Sequence, residues 1–175
     1  MRHTLVTCCI AVLALGAGTG LARAGEVFVH TGTIDASDPT MPVVFISTPN
    51  CTGQGVAPVH YEALPFTVAS GGDYTFTQIS QDGFASLYLM DATFDPAAAF
   101  PSCLAGSNGA DPLGFTEALT AGELYFAVPF DDTFEQAGGV YGLIVEGPGV
   151  MNFIIFVDGF ESGDTSRWSA VTPSV

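Results

Sequence analysis

Apolar residues in this chain recur mostly every second position, in short runs broken by Gly, Pro, Asn and Asp. No window keeps a 3.6-residue period over three turns, so the pattern predicts strands rather than amphipathic helices. Glu26–Ile34 and Val43–Ser47 read as the first two strands. Tyr61–Ala69 follows, with Leu64, Phe66 and Val68 on one face. Gly71-Gly72-Asp73 turns the chain into Tyr74–Ile79, where Tyr74 and Phe76 share a face. Ala85, Leu87 and Leu89 alternate along the next strand. Asp91–Asn108, holding Pro96, Pro101 and Cys103, reads as a long connection. Phe115–Leu119, Leu124–Phe130, Val140–Glu146 and Met151–Val157 complete the set. Their breaks are Ala121-Gly122, the polar stretch Asp131–Gly139 and Gly147-Pro148-Gly149.

Short strands at eight-to-twelve-residue spacing argue for an all-β fold: an antiparallel β-sandwich, jelly-roll-like, in one domain. An α/β alternative needs amphipathic helices between strands, and none is visible.

The first residues break the strand pattern. A short basic start, Arg2-His3, precedes an apolar run from Leu5 to Leu15. Small residues then lead to Ala22-Arg23-Ala24. This is the layout of an export signal, with cleavage expected between Ala24 and Gly25. The apolar run is too short to span ~30 Å of hydrocarbon, so no membrane span is expected in the mature chain. The expected organisation is therefore residues 1–24 as signal peptide, 25–149 as the sandwich and 150–175 as a last strand and tail. The expected location is secreted, periplasmic or cell-surface.

Cleavage sharpens the charge. Two of the three basic residues, Arg2 and Arg23, leave with the signal, and the chain has no lysine. Arg167 then stands alone against eighteen carboxylates. Such a surface repels phosphate backbones, which excludes nucleic acid as a partner. It disfavours anionic membranes as well. Divalent cations or cationic partners are attracted, although acidity also simply keeps an exported protein soluble.

Two cysteines remain after cleavage, Cys51 and Cys103. An even pair in an exported chain reads as one disulfide. Neither has a neighbouring His, Lys or Arg in sequence to favour a reactive thiolate.

Catalytic patterns are not found. There is no G-x-S-x-G elbow and no H-E-x-x-H, and beyond residue 24 the histidines are His30 and His60, each on a predicted strand and each read as structural. Two carboxylates would suffice for glycoside hydrolysis, but one arginine and no lysine leave little to stabilise developing anions. No catalytic residues are therefore expected, and no cofactor beyond calcium. Calcium is the small partner that loop oxygens suit. Its candidate ligands are Asp91 and Asp95 around one loop, and Asp131, Asp132 and Glu135 in another. Neither group follows the D-x-[DN]-x-[DN]-G loop, and the plainer reading is solvated loop acids.

Five segments in order carry a resemblance: Leu64-Pro65-Phe66-Thr67-Val68, Gly72-Asp73-Tyr74-Thr75-Phe76, Ser86-Leu87-Tyr88-Leu89-Met90-Asp91, Phe94-Asp95-Pro96, and Leu119-Thr120-Ala121-Gly122-Glu123-Leu124-Tyr125. Together, from Leu64 to Gly147, they resemble the bacterial pre-peptidase C-terminal domain, a β-sandwich module appended to secreted peptidases and other exported proteins. The resemblance implies that Phe66, Tyr74, Phe76, Leu87 and Leu89 line the inner faces of two packed sheets. Where many relatives carry an acidic Asn-Asp-Asp cluster, this chain has Ser107-Asn108-Gly109-Ala110-Asp111, with one carboxylate.

The tail Asp158-Gly159-Phe160-Glu161-Ser162-Gly163-Asp164, with Trp168 behind it, resembles a segment recurring in exported bacterial proteins. It reads either as a recognition or sorting element or as a docked final strand. The functional expectation is a secreted non-catalytic module that binds an unidentified protein or glycan. A carbohydrate-binding or carbohydrate-active protein and a calcium-stabilised structural module are the alternatives.

Overall fold

The computed structural model describes residues 25–81, 84–130 and 139–154, with only the backbone described at 84 and 85. The predicted signal segment through Ala24, the candidate ligands Asp131, Asp132 and Glu135, and the tail from residue 155 onward lie outside the described residues.

Among the described residues eleven strands run in chain order: β1 (Glu26–Thr33), β2 (Thr40–Ser47), β3 (Asn50–His60), β4 (Leu64–Val68), β5 (Gly72–Ser80), β6 (Phe84–Asp91), β7 (Cys103–Ala110), β8 (Leu113–Leu119), β9 (Tyr125–Pro129), β10 (Val140–Gly147) and β11 (Met151–Phe153). One sheet has the order β1-β10-β5-β8, a second β11-β4-β9-β6-β7, and β2 and β3 form a separate hairpin. Every pairing is antiparallel.

The winding is simple once the pairs are written out. β6 pairs with β7, β5 with β8, β4 with β9 and β1 with β10. These are the nested rungs of one long hairpin, and the chain steps between the two sheets at every connection of this set except β6–β7. That is a jelly roll, the double-sheet Greek-key solution of an all-β chain. The β2–β3 hairpin is inserted between its first two strands, and β11 is added to one edge.

The alternation sets the core. β5 turns Tyr74 and Phe76 inward, where they meet Phe66 of β4, Leu87 and Leu89 of β6, Phe115 of β8 and Leu143 and Val145 of β10 between the sheets. Phe76 stacks on Phe115 across 5.4 Å. The outward residues of β5 include Thr75 and Thr77, and Thr75 Oγ1 lies 2.9 Å from Thr116 Oγ1 across the strand pair. This inward and outward division is what packed sheets require.

A second core lies on the outer face of the five-stranded sheet. Tyr88 and Met90 of β6, and Val128 of β9 with Phe130 just beyond it, are covered by Met41, Val44 and Val59 of the hairpin. Both faces of β6 and β9 are therefore buried, so residues 87–90 and 127–130 read as unbroken apolar runs instead of alternating. The molecule has three layers, not two.

Several contacts pin the third layer. The Cys51–Cys103 disulfide, with Cα atoms 6.0 Å apart, ties β3 to the start of β7. Gly106 N donates to Pro49 O at 2.8 Å, and Phe100 N donates to Gln54 Oε1 at 3.0 Å. The Tyr88 hydroxyl donates to Val44 O at 2.8 Å and accepts from Val44 N at 3.0 Å.

Three expectations change. The segment 50–60, unassigned from sequence, is the strand β3. The long connection expected over Asp91–Asn108 ends at Ser102, and β7 occupies its second half. What remains of it is two short 3-10 turns, Pro96–Ala98 and Phe100–Ser102. The strand expected from Tyr61 begins at Leu64, Tyr61 making only an isolated bridge to Phe130.

Candidate binding groove

β1 is an edge strand, with β10 on one side and no strand pairing with its other side among the described residues. Its alternation sends Phe28 and His30 toward the inside of the sandwich and leaves Val27 and Val29 outside, 58% and 61% exposed. The five-stranded sheet ends on the same side with β11. Between the two sheet edges runs an open seam.

Toward one end the seam widens into a groove of ≈ 770 Å³, walled by Phe28, Val29, His30, Pro65, Phe126 and Phe153 among others. Near the other end is a smaller depression of ≈ 70 Å³ beside Glu26, Val27 and Val150. The ring of Phe153 stacks on Phe28 at 4.4 Å and on His30 at 5.9 Å, so the groove wall is a short aromatic ladder. The walls are apolar, and several of their side chains stand partly in solvent. Exposed apolar surface of this kind is what partner- and ligand-binding grooves present.

One polar cluster borders the groove. Glu62 sits just before β4, its backbone N–H donating to Pro129 O at 3.0 Å. Its carboxylate accepts the Tyr141 hydroxyl at 2.5 Å, and its other oxygen lies 4.0 Å from His30 Nε2. His30 Nε2 is buried and has no hydrogen-bond partner among the described residues. Tyr141 is 2% exposed. Burial pushes its phenol well above the ordinary tyrosine range, and the hydrogen bond to Glu62 pushes it further. The cluster needs a glycine on the neighbouring strand, because a Cβ at Gly32 would collide with Tyr141 Oη and Glu62 Oε2.

The other sequence candidates fall elsewhere. Asp91 Oδ1 accepts the backbone N–H of Thr93 at 2.7 Å, and Asp95 Oδ1 accepts that of Ala97 at 2.9 Å. Both carboxylates thus order local turns around the loop after β6, Asp95 as the cap of a 3-10 turn. Among the described residues no three His, Cys, Asp or Glu side chains gather as a metal cluster. Gly25 lies exposed just before β1.

His60 fits the structural role read from sequence, its Nδ1 lying 2.9 Å from Asp38 O. His30 differs from it by standing in the groove wall. The signal available in sequence was the shared parity of Phe28 and His30, which puts an imidazole on an otherwise apolar inner face. What that parity cannot show is that the face meets a sheet edge rather than a closed core.

No helix among the described residues is long and apolar enough to cross a membrane. No family model matches the chain, and no curated protein matches it. Among solved structures the chain is similar to the K1 cleaved adhesin domain of Lys-gingipain (Kgp) from Porphyromonas gingivalis W83. Identity is 18%, the match covers 70% of this chain and 97% of that one, and the TM-score is 0.36.

Proposed function

We propose that the protein is an exported, non-catalytic β-sandwich module of the pre-peptidase C-terminal kind, which acts by binding a partner in the groove between β1 and β11. The observation that carries this reading is the groove itself, an apolar depression of ≈ 770 Å³ on an otherwise acidic chain. A rigid sandwich presenting one concave apolar surface with a few polar groups at its border is built to hold something. The Cys51–Cys103 disulfide supports an oxidising compartment. The segments carrying the resemblance supply β4, much of β5 and β6, and the β8–β9 turn.

Peptide and glycan arrays probed side by side with purified protein and with Val29→Lys test this reading. Val29 is mostly solvent-exposed, so the substitution changes the groove wall without opening the core. Retention on either array that the variant loses supports an interaction module. Turnover of an arrayed substrate, or retention indifferent to Val29, overturns it.

A further inference from the structure

We infer that β1 is an acceptor edge for β-strand addition, and that its occupant is an extended, lysine- or arginine-bearing peptide segment of another protein. This rests on the interaction-module reading and names the partner's chemistry and binding mode.

An edge strand exposes a row of N–H and C=O groups that a further strand can pair with, and natural sheets usually blunt such edges. In this molecule the blunting is uneven. The hairpin strands carry Pro42 and Pro58, and their register slips between Pro42 and Val44 and again between Phe45 and Ile46. β11 is three residues long, and β8 carries Glu117. β1 has only Glu26, at its first position, as such a device. It is eight residues long, pairs with β10 without a register slip from Glu26 to Thr33, and has neither proline nor an acidic, Lys or Arg side chain after Glu26.

The surroundings fit an incoming strand. An added strand would lie in the seam, its alternate side chains directed inward against Phe28 and Phe153 or outward beside Val27 and Val29. His30 Nε2, with no hydrogen-bond partner among the described residues, offers such a strand a polar contact.

Charge selects the occupant. Glu26 opens β1, Glu146 is the register partner of Val27, and Glu62 stands beside His30. Asp38 acts on Tyr141 through space in the same cluster. No lysine exists in the chain to balance them. A second copy of this chain would bring the same carboxylates against these. A cationic strand satisfies both the apolar seam and its acidic border.

The test uses purified protein and an octapeptide of alternating Val and Lys, with its Val and Glu counterpart as comparison. Expected results are saturable binding of the lysine peptide, none of the glutamate peptide, and slowed amide exchange at alternate residues of β1. N-methylation of the peptide backbone at one alternate set of residues should abolish binding, and at the other set leave it unchanged, because only every second N–H of an added strand faces β1. The double variant Glu62→Gln with Glu146→Gln should weaken binding about two- to five-fold per charge. Indifference to the N-methylation register overturns strand addition while leaving an interaction module standing. Equal binding of both peptides, or of neither while array retention persists, overturns the cationic occupant alone. One alternate set of β1 amides is protected by β10 in any case. If the other set, which faces away from β10, is already protected before peptide is added, the edge is taken by the chain itself or by a second copy, and the proposal is overturned.

Discussion

Tyr88→Phe should loosen the third layer without touching the sandwich core. Tyr88 is fully buried, its ring stacked on Phe130 at 4.1 Å and nearly parallel to it. Phenylalanine keeps that ring and that volume, so no cavity opens. The substitution removes one oxygen, which accepts Val44 N–H and donates to Val44 O at the point where β2 slips register. Val44 is itself 2% exposed, so its two backbone groups would be left poorly satisfied away from water. A buried polar group deprived of its partner costs about 1–3 kcal/mol. Allowing for partial relaxation, the two together cost about 2–4 kcal/mol, a large fraction of the ~5–15 kcal/mol that holds an ordinary domain. Urea unfolding followed by far- and near-ultraviolet circular dichroism would measure it. The expected result is a lower midpoint with an unchanged slope, since the same surface is exposed on unfolding. A loss below ~0.5 kcal/mol would refute the argument that this hydroxyl anchors the hairpin, because a single exchanged hydrogen bond would already exceed it. A reduced slope would show instead that the hairpin detaches as a separate unit.

Replacing Cys51 and Cys103 with alanine should cost roughly 4 kcal/mol on the chain-entropy account, for a closure of 52 residues, read as a lower urea midpoint. Combined with Tyr88→Phe the loss should fall short of the sum, because both devices hold the same hairpin to the same sheet. Gly32→Ala should destabilise by about 1–3 kcal/mol, and thermal melts should show it, since the new methyl must displace the Tyr141–Glu62 pair. Stability should fall as pH rises above about 10. Tyr61, Tyr74 and Tyr141 all have their phenols raised by burial, so the folded state holds protons that the unfolded state releases there. Their contribution is complete below the unfolded tyrosine value and is lost as pH climbs through the raised ones. Tyrosinate absorbance rising together with loss of circular dichroism would check it, and early, independent ionisation of all the tyrosines would refute it. Asp95→Ala should cost about 1 kcal/mol through loss of its turn cap, measurable by the same urea titration.

Part of this architecture is legible in the residues themselves. The alternation in Tyr74–Ile79 and Val140–Glu146 shows strands with one face buried, and an even cysteine pair in an exported-looking chain announces its own bridge. Those are local properties: side-chain parity follows from backbone pleating wherever a strand lies. The all-β class and the Cys51–Cys103 link rest on them, while the inward placement of Phe66, Tyr74, Phe76, Leu87 and Leu89 is what the resemblance implied and the core contains.

Other features were decided only by tertiary structure. The segment 50–60 carries Gly53, Gly55 and Pro58 and has little intrinsic preference for a strand. It becomes one because β2 pairs along it and the second core needs a cover. The unbroken apolar runs of β6 and β9 do record burial on both faces, but not which segment supplies the second covering layer. The groove depends on two strands over a hundred residues apart in sequence, β1 and β11, ending their sheets on the same side. Parity along β1 shows which side chains face inward. It carries no information about whether the next strand over is present, and among the described residues none pairs with the far side of β1.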